Sequence, residues 1–178
     1  QERAALMLHK SAGHECSRKP KHHPSVLELL PRPLRERGVQ PVGRLDEDTT
    51  GLLILTDDGT LNHRLSSPRK KLPKVYRATT ADPLDETQIA ALLDGVVLDD
   101  DPQPVAAAGA VKLAPHTLRL TLIQGKYHQV KRLVAAVGNR VTALHREAIG
   151  GLALPGDLAP GAWRWLSPNE LQRLEDTA

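Results

Sequence analysis

The chain has 178 residues, 24 Lys and Arg against 21 Asp and Glu, and a formal net charge of +3. That length suits one domain, or one domain with a small lobe. The single cysteine, Cys16, excludes an internal disulfide and suits a reducing cytoplasm, and no apolar run reaches membrane-spanning length. The charge is segregated: residues 78 to 111 hold seven acids and no Lys or Arg, while the other 144 residues hold all 24 cations against 14 acids. A basic body beside an acidic stretch is the pattern of a polyanion binder. Aromatics are reduced to Tyr76, Tyr127, Trp163 and Trp165, so Leu, Val, Ile and Ala must build the core.

In chain order, Ala4 to Leu8 reads as a strand and Ser25 to Leu30 as a short helix, ended by Pro31 and Pro33. Gln40 to Val42 and Gly51 to Thr56 read as strands on either side of a dense polar loop. Asp57-Asp58-Gly59 is a turn signal, with a helical turn over Leu61 to Leu65. Lys74 to Thr80 is a strand by its Val, Tyr and Thr content. Asp85 to Leu93 has helical spacing. Val105 to Leu113 reads as a strand, and Thr117 to Ile123 alternates with Leu118, Leu120 and Leu122 on one face. After Gly125, Tyr127, Val130, Leu133, Val134 and Val137 recur at helical spacing until Gly138-Asn139. Val141 to Leu154 is extended, broken at Gly150-Gly151. Trp163 to Leu166 is a last strand, and Ser167-Pro168 opens a terminal helix by the cap-then-proline pattern. Strands are often joined without helices, which predicts an α+β fold with a mixed, mainly antiparallel sheet flanked by helices.

Three segments carry chemistry-bearing residues. In the first, Gly43-Arg44-Leu45-Asp46-Glu47-Asp48-Thr49-Thr50-Gly51 runs straight into Leu52-Leu53-Ile54-Leu55, a wholly apolar strand that anchors the loop. Asp46 there is open to a turn-forming role, to a metal role, or to the role of a catalytic carboxylate kept ionised by a cation. The metal role fails: Asp46, Asp48, Thr50, Gly51 and Asp57 have EF-hand-like spacing but lack the closing bidentate Glu, and Leu52 to Leu55 continue as a strand. In the second, Tyr76 stands among Arg64, Arg69, Lys70, Lys71, Lys74 and Arg77, with no acid from Arg64 to Arg77. Cations contact phosphates and a tyrosine offers a stacking face for an unpaired base; the plainer reading of Tyr76 is a half-buried strand residue. In the third, Gln124 to Leu133, helical spacing sets Lys131 about 100° from Val130 at the border of the apolar face, where it either reaches a buried acid or snorkels. Arg132 points away from the core.

Together these segments resemble the RsuA-type branch of the pseudouridine synthases. The matching pieces are Gly43-Arg44-Leu45-Asp46 with Thr49 to Leu53, Thr56-Asp57-Asp58-Gly59, His63-Arg64-Leu65 with Ser67-Pro68, and Lys74-Val75-Tyr76. Gly125 to Leu133, Leu144-His145-Arg146-Glu147 and Ile149-Gly150-Gly151 follow in order, so the similarity covers nearly the whole chain. The resemblance implies the pseudouridine synthase fold and isomerisation of a uridine in small-subunit ribosomal RNA, at position 516 of 16S rRNA. It implies Asp46 as the essential aspartate and Tyr76 as the residue stacked on the uracil and a candidate for proton transfer at C5. It further implies Lys131 as the cation paired with Asp46, Leu133 (where the family often has Met) as an apolar wall, and Arg44 as a handler of the flipped nucleotide. Arg64, Arg69, Lys74, His128, Gln129 and Arg132 are the further expected RNA contacts. The expected partner is ribosomal RNA or a small-subunit assembly intermediate, met by a cytoplasmic monomer. The family's usual amino-terminal S4-type RNA-binding domain is absent from residues 1–178, which read as the catalytic domain alone.

The chemistry fits such a site without a cofactor or metal. Uridine isomerisation breaks the N1–C1′ bond, turns the base and rejoins it through C5, with no redox step and no external nucleophile. It demands an unstacked base, a placed carboxylate and exclusion of water. Asp46 either attacks covalently or removes the C2′ proton. A glycosidase would need a second catalytic carboxylate, and none stands out. Two rivals remain: a non-catalytic RNA-binding module using the same basic surface, and a zinc protein built on His9, His14, Cys16, His22 and His23, whose spacings fit no standard finger.

Overall fold

The computed structural model describes residues 3–99, 101–123 and 128–176. The elements run β1 (Ala5–Lys10), a 3-10 turn (Val26–Leu29), α1 (Arg32–Glu36), β2 (Gln40–Val42), β3 (Thr50–Thr56), α2 (Gly59–Ser66), β4 (Lys74–Thr80) and α3 (Glu86–Asp94). They continue as β5 (Val96–Leu98), β6 (Asp101–Val105), β7 (Gly109–Ala114), β8 (Thr117–Leu122), α4 (Gln129–Ala136), β9 (Val141–Ile149), β10 (Leu152–Ala153), β11 (Trp163–Trp165) and α5 (Pro168–Leu174). The chain forms two compact units, one from residues 1–72 with 146–178 and one from residues 73–145.

In the first unit β1 lies between β11 and β3, antiparallel to both, with Leu6 opposite Leu55 and Trp165, and Lys10 opposite Gly51. β2 also pairs β3, and β10 folds back on β9 through Ile149 opposite Leu152. Strand alternation explains why β3 is apolar throughout. Leu53 and Leu55 pack with Leu6, Leu8, Val26, Leu34 and Leu45 in one cluster. Leu52 and Ile54 pack on the opposite face with Met7, Leu61, Leu65, Ile149 and Leu174. Each such leucine, fully buried, contributes roughly 1.5–3 kcal/mol over an exposed one.

Gly51 is fixed by close approach: its φ is +118°, and a Cβ would lie 2.2 Å from the Arg146 carbonyl oxygen. Arg146, itself buried, donates from Nε to the Leu52 carbonyl at 3.0 Å.

In the second unit β8 lies between β4 and β7, again antiparallel, with Tyr76 opposite Leu120. Leu118, Leu120 and Leu122 all face the core, where they meet Ile89 and Leu92 of α3 and Val130, Leu133 and Val134 of α4. β5 and β6 form a separate two-stranded hairpin.

The α+β class and mainly antiparallel sheet agree with the sequence reading, but two local expectations differ. Pro33 does not end a helix; it occupies the first turn of α1, where a missing N–H costs nothing, and the Ser25-capped turn before it is 3-10. The single strand expected over Val105 to Leu113 is two, β6 and β7. Buried Ala107 interrupts them by donating its N–H to the Leu92 carbonyl of α3 at 2.9 Å. Tyr127 and the rest of residues 124–127 lie outside the described residues, so the described helix there is α4 alone. The terminal helix α5 is capped as expected, with a reciprocal Ser167–Glu170 capping box.

Candidate active site

The Asp46 loop joins β2 to β3 and is held on several sides. Gly43 takes φ +72°, which turns the chain out of β2. Leu45 is buried in the core beside β3, and its N–H donates to Cys16 Sγ at 3.4 Å. The Thr49 N–H closes a turn on the Asp46 carbonyl at 3.0 Å, and the Gly13 N–H reaches the Glu47 carbonyl at 2.8 Å. Asp46 is half-buried between these anchors, and Arg44 is exposed.

Beneath the loop lies Lys10, with 0 % of its surface exposed. Its ammonium donates to the carbonyls of Thr49 at 2.6 Å, Glu47 at 2.9 Å and Ser11 at 3.2 Å, which uses all three of its protons. Burial pushes its pKa down, against the opposing pull of the carboxylates of Glu47, Asp48 and Asp46. The Cys16 thiol is itself pushed up by burial, which keeps it a neutral prop rather than a nucleophile. Sequence reasoning missed Lys10. Its position at the end of an apolar strand carries no local signal, because its partners come from a loop 37 and 39 residues away.

The segment after β1 is organised by Glu15. Its carboxylate accepts the N–H groups of Lys21, His22 and His23, which holds its pKa down to about 2. His23 stands between Glu15 at 3.4 Å and Glu47 of the Asp46 loop at 3.7 Å. The other members of the would-be zinc set are engaged separately: His9 with the Leu158 carbonyl, His14 with Ser11 and the Ala12 carbonyl. Because the Glu15 pKa is lower folded than its ordinary 4.5, its stabilisation of residues 21–23 is complete above that pH and is lost as pH falls towards about 2. Amide-exchange protection of Lys21, His22 and His23 is expected to decline over that range in the native chain. In Glu15→Gln it should be low and flat; equal decline in both would assign the effect to another group.

The remaining expected residues divide between the units. Arg64 lies on α2 and Arg69 just after it, both exposed, in the first unit with Asp46 and Arg44. Lys74, Tyr76, His128, Gln129, Lys131, Arg132 and Leu133 belong to the second. Tyr76 and Lys74 alternate on the same face of β4, both half-buried, and Tyr76 packs against the cluster that contains Leu133. His128 precedes α4 in the left-handed region at φ +48°. Gln129 is buried, and Leu133 is fully so. Lys131 and Arg132 are half-buried on α4, beside its apolar face of Val130, Leu133 and Val134.

Residues 4–136 match the family model described as RNA pseudouridylate synthase. The chain belongs to that family. It is 44% identical over 166 residues to the ribosomal small subunit pseudouridine synthase A of Yersinia pestis, a match covering 93% of this chain and 70% of that protein. Against the enzyme of the same description from Escherichia coli strain K12 the identity is 43%, covering 93% of this chain and 71% of that protein. A crystal structure of a pseudouridylate synthase superposes with a TM-score of 0.91 at 39% identity, covering 98% of this chain and 74% of that one. The fold is therefore that of the pseudouridine synthases. Among the described residues no helix is long and apolar enough to cross a membrane.

Proposed function

We propose that this chain isomerises a specific uridine of small-subunit ribosomal RNA to pseudouridine, with Asp46 as the reacting carboxylate. The observation that carries the reading is the Asp46 loop, clamped by Lys10, Leu45 and Gly13 in a chain 44% identical to a small-subunit pseudouridine synthase. Catalysis by a placed group needs such restraint, since a displacement of about 1 Å can cost on the order of 10²-fold in rate.

In the reaction the N1–C1′ bond breaks, the uracil turns, a C5–C1′ bond forms, the C5 proton leaves and N1 gains a proton. Asp46 begins it, either by attack at C1′ or by removing the C2′ proton. Lys131 is the counter-ion that keeps Asp46 anionic, which either route requires. Tyr76 stacks on the extruded uracil and is the candidate for the proton transfer at C5, with Leu133 as an apolar wall near the base. Arg44 guides the flipped nucleotide. Arg64, Arg69, Lys74, His128, Gln129 and Arg132 contact the RNA backbone around it. Residues 1–178 supply the catalytic domain, which acts in the cytoplasm as a monomer on ribosomal RNA or an assembly intermediate of the small subunit.

The C5 proton gives a direct assay. Small-subunit ribosomal RNA carrying tritium at C5 of uridine should release one tritium to water for each pseudouridine formed. Absence of both tritium release and pseudouridine on every small-subunit substrate would rule the reaction out.

A further inference from the structure

A cleft of ≈ 710 Å³ opens beside α2, lined by Thr60, His63, Arg64, Ser67, Arg69 and Lys70 among others. The amides at the start of α2 are already taken, because the Asp58 carboxylate caps Thr60 and Leu61. The cleft's anion-binding capacity therefore rests on its side chains. Three permanent cations line it, and a carboxylate from the far end of the chain meets two of them. Glu175, just past α5, accepts from Arg64 Nε at 2.7 Å and Arg64 Nη2 at 3.3 Å, with Lys70 Nζ at 3.5 Å. This two-pronged guanidinium grip is the geometry with which arginine holds a phosphate as readily as a carboxylate. The Arg64 guanidinium also holds the Glu175 carboxyl below the usual range.

We infer that this cleft seats a backbone phosphate of the RNA, and that Glu175 occupies the seat in the free protein as a carboxylate stand-in that the phosphate displaces. The inference rests on the RNA-substrate reading above and adds a named docking point with a built-in competitor. Energetics favour the exchange. The side chains of Arg64, Lys70 and Glu175 are 51%, 33% and 26% exposed, and ion pairs so open to water hold only weakly. A phosphate entering the cleft regains both cations, adds Arg69, and releases counter-ions from the RNA.

The test is equilibrium binding of a small-subunit ribosomal RNA transcript to the full chain at several salt concentrations, without turnover. Glu175→Gln is expected to tighten binding about 2- to 5-fold, the range of one exposed ion pair. Arg64→Gln is expected to weaken it and to lower the salt slope by about 0.7–0.9, one phosphate contact. In Arg64→Gln, adding Glu175→Gln should bring no further gain. Glu36→Gln, which removes an exposed acid on α1, controls for net charge and should leave affinity unchanged. An unchanged or weaker affinity in Glu175→Gln, with its folding intact by circular dichroism, overturns the inference and leaves the pair as a staple of α5. So does an equal gain in Glu36→Gln or in the Arg64→Gln background, or absence of binding by the native chain. Failure of the tritium assay with these binding results intact would count against catalysis alone.

Discussion

Asp46→Asn is expected to lower kcat at least about 10³-fold, the loss typical of removing a reacting group. The turn at this position runs through the Asp46 backbone carbonyl, which accepts from Thr49, and Leu45 anchors the loop in the core. Neither contact depends on the carboxylate, and asparagine keeps its size. The variant should therefore melt within a few degrees of the native chain and bind ribosomal RNA as tightly. Near-native turnover would remove Asp46 from the chemistry. Loss of turnover with loss of folding would make it a structural residue. A non-catalytic RNA-binding module would show the same binding in both proteins and pseudouridine in neither.

Lys10→Met has the second-largest expected effect, for a different reason. Methionine fills a similar volume, but it leaves the buried Thr49 carbonyl without its lysine donor and the Glu47 carbonyl with the Gly13 N–H in place of two donors. The cost is about 1–3 kcal/mol of stability, the penalty for stranding one polar group away from water. The loop that carries Asp46 then loses its support from below. At a temperature where the variant remains folded, kcat is expected to fall about 10- to 100-fold while RNA affinity holds, because the displaced group is the reacting one. A purely structural role would lower the melting temperature and leave kcat of the folded fraction unchanged. Lys10 is thus a positioning residue, acting through the loop carbonyls.

Where the sequence was informative, the physics was local. Alternation of Leu118, Leu120 and Leu122 marked a strand with one buried face, and the unbroken run Leu52 to Leu55 marked one buried on both. Ser167-Pro168 announced a helix start, because capping depends on residues two or three apart. The break between β6 and β7 was not legible: three alanines interrupt nothing by propensity, and the cause is a hydrogen bond to α3.

The same division holds at the site. The loop around Asp46 and the helix bearing Lys131 could be found from order and spacing alone. Its support could not, since Lys10, Cys16 and Gly13 reach it across the fold. Nor was the balance of charge on α2 visible, since the acid that meets Arg64 stands 111 residues away. A run of cations free of acids in sequence is partly neutralised in space.

The central claim is that Asp46 rearranges a glycosidic bond in small-subunit ribosomal RNA. Its most direct test is to incubate the native chain and Asp46→Asn with naked small-subunit ribosomal RNA and with immature small-subunit particles, then map pseudouridine by chemical labelling and primer extension. The account predicts a new pseudouridine at one position with the native chain and none with Asp46→Asn. Conversion by Asp46→Asn at the native level, or no conversion by the native chain on either substrate, would contradict it.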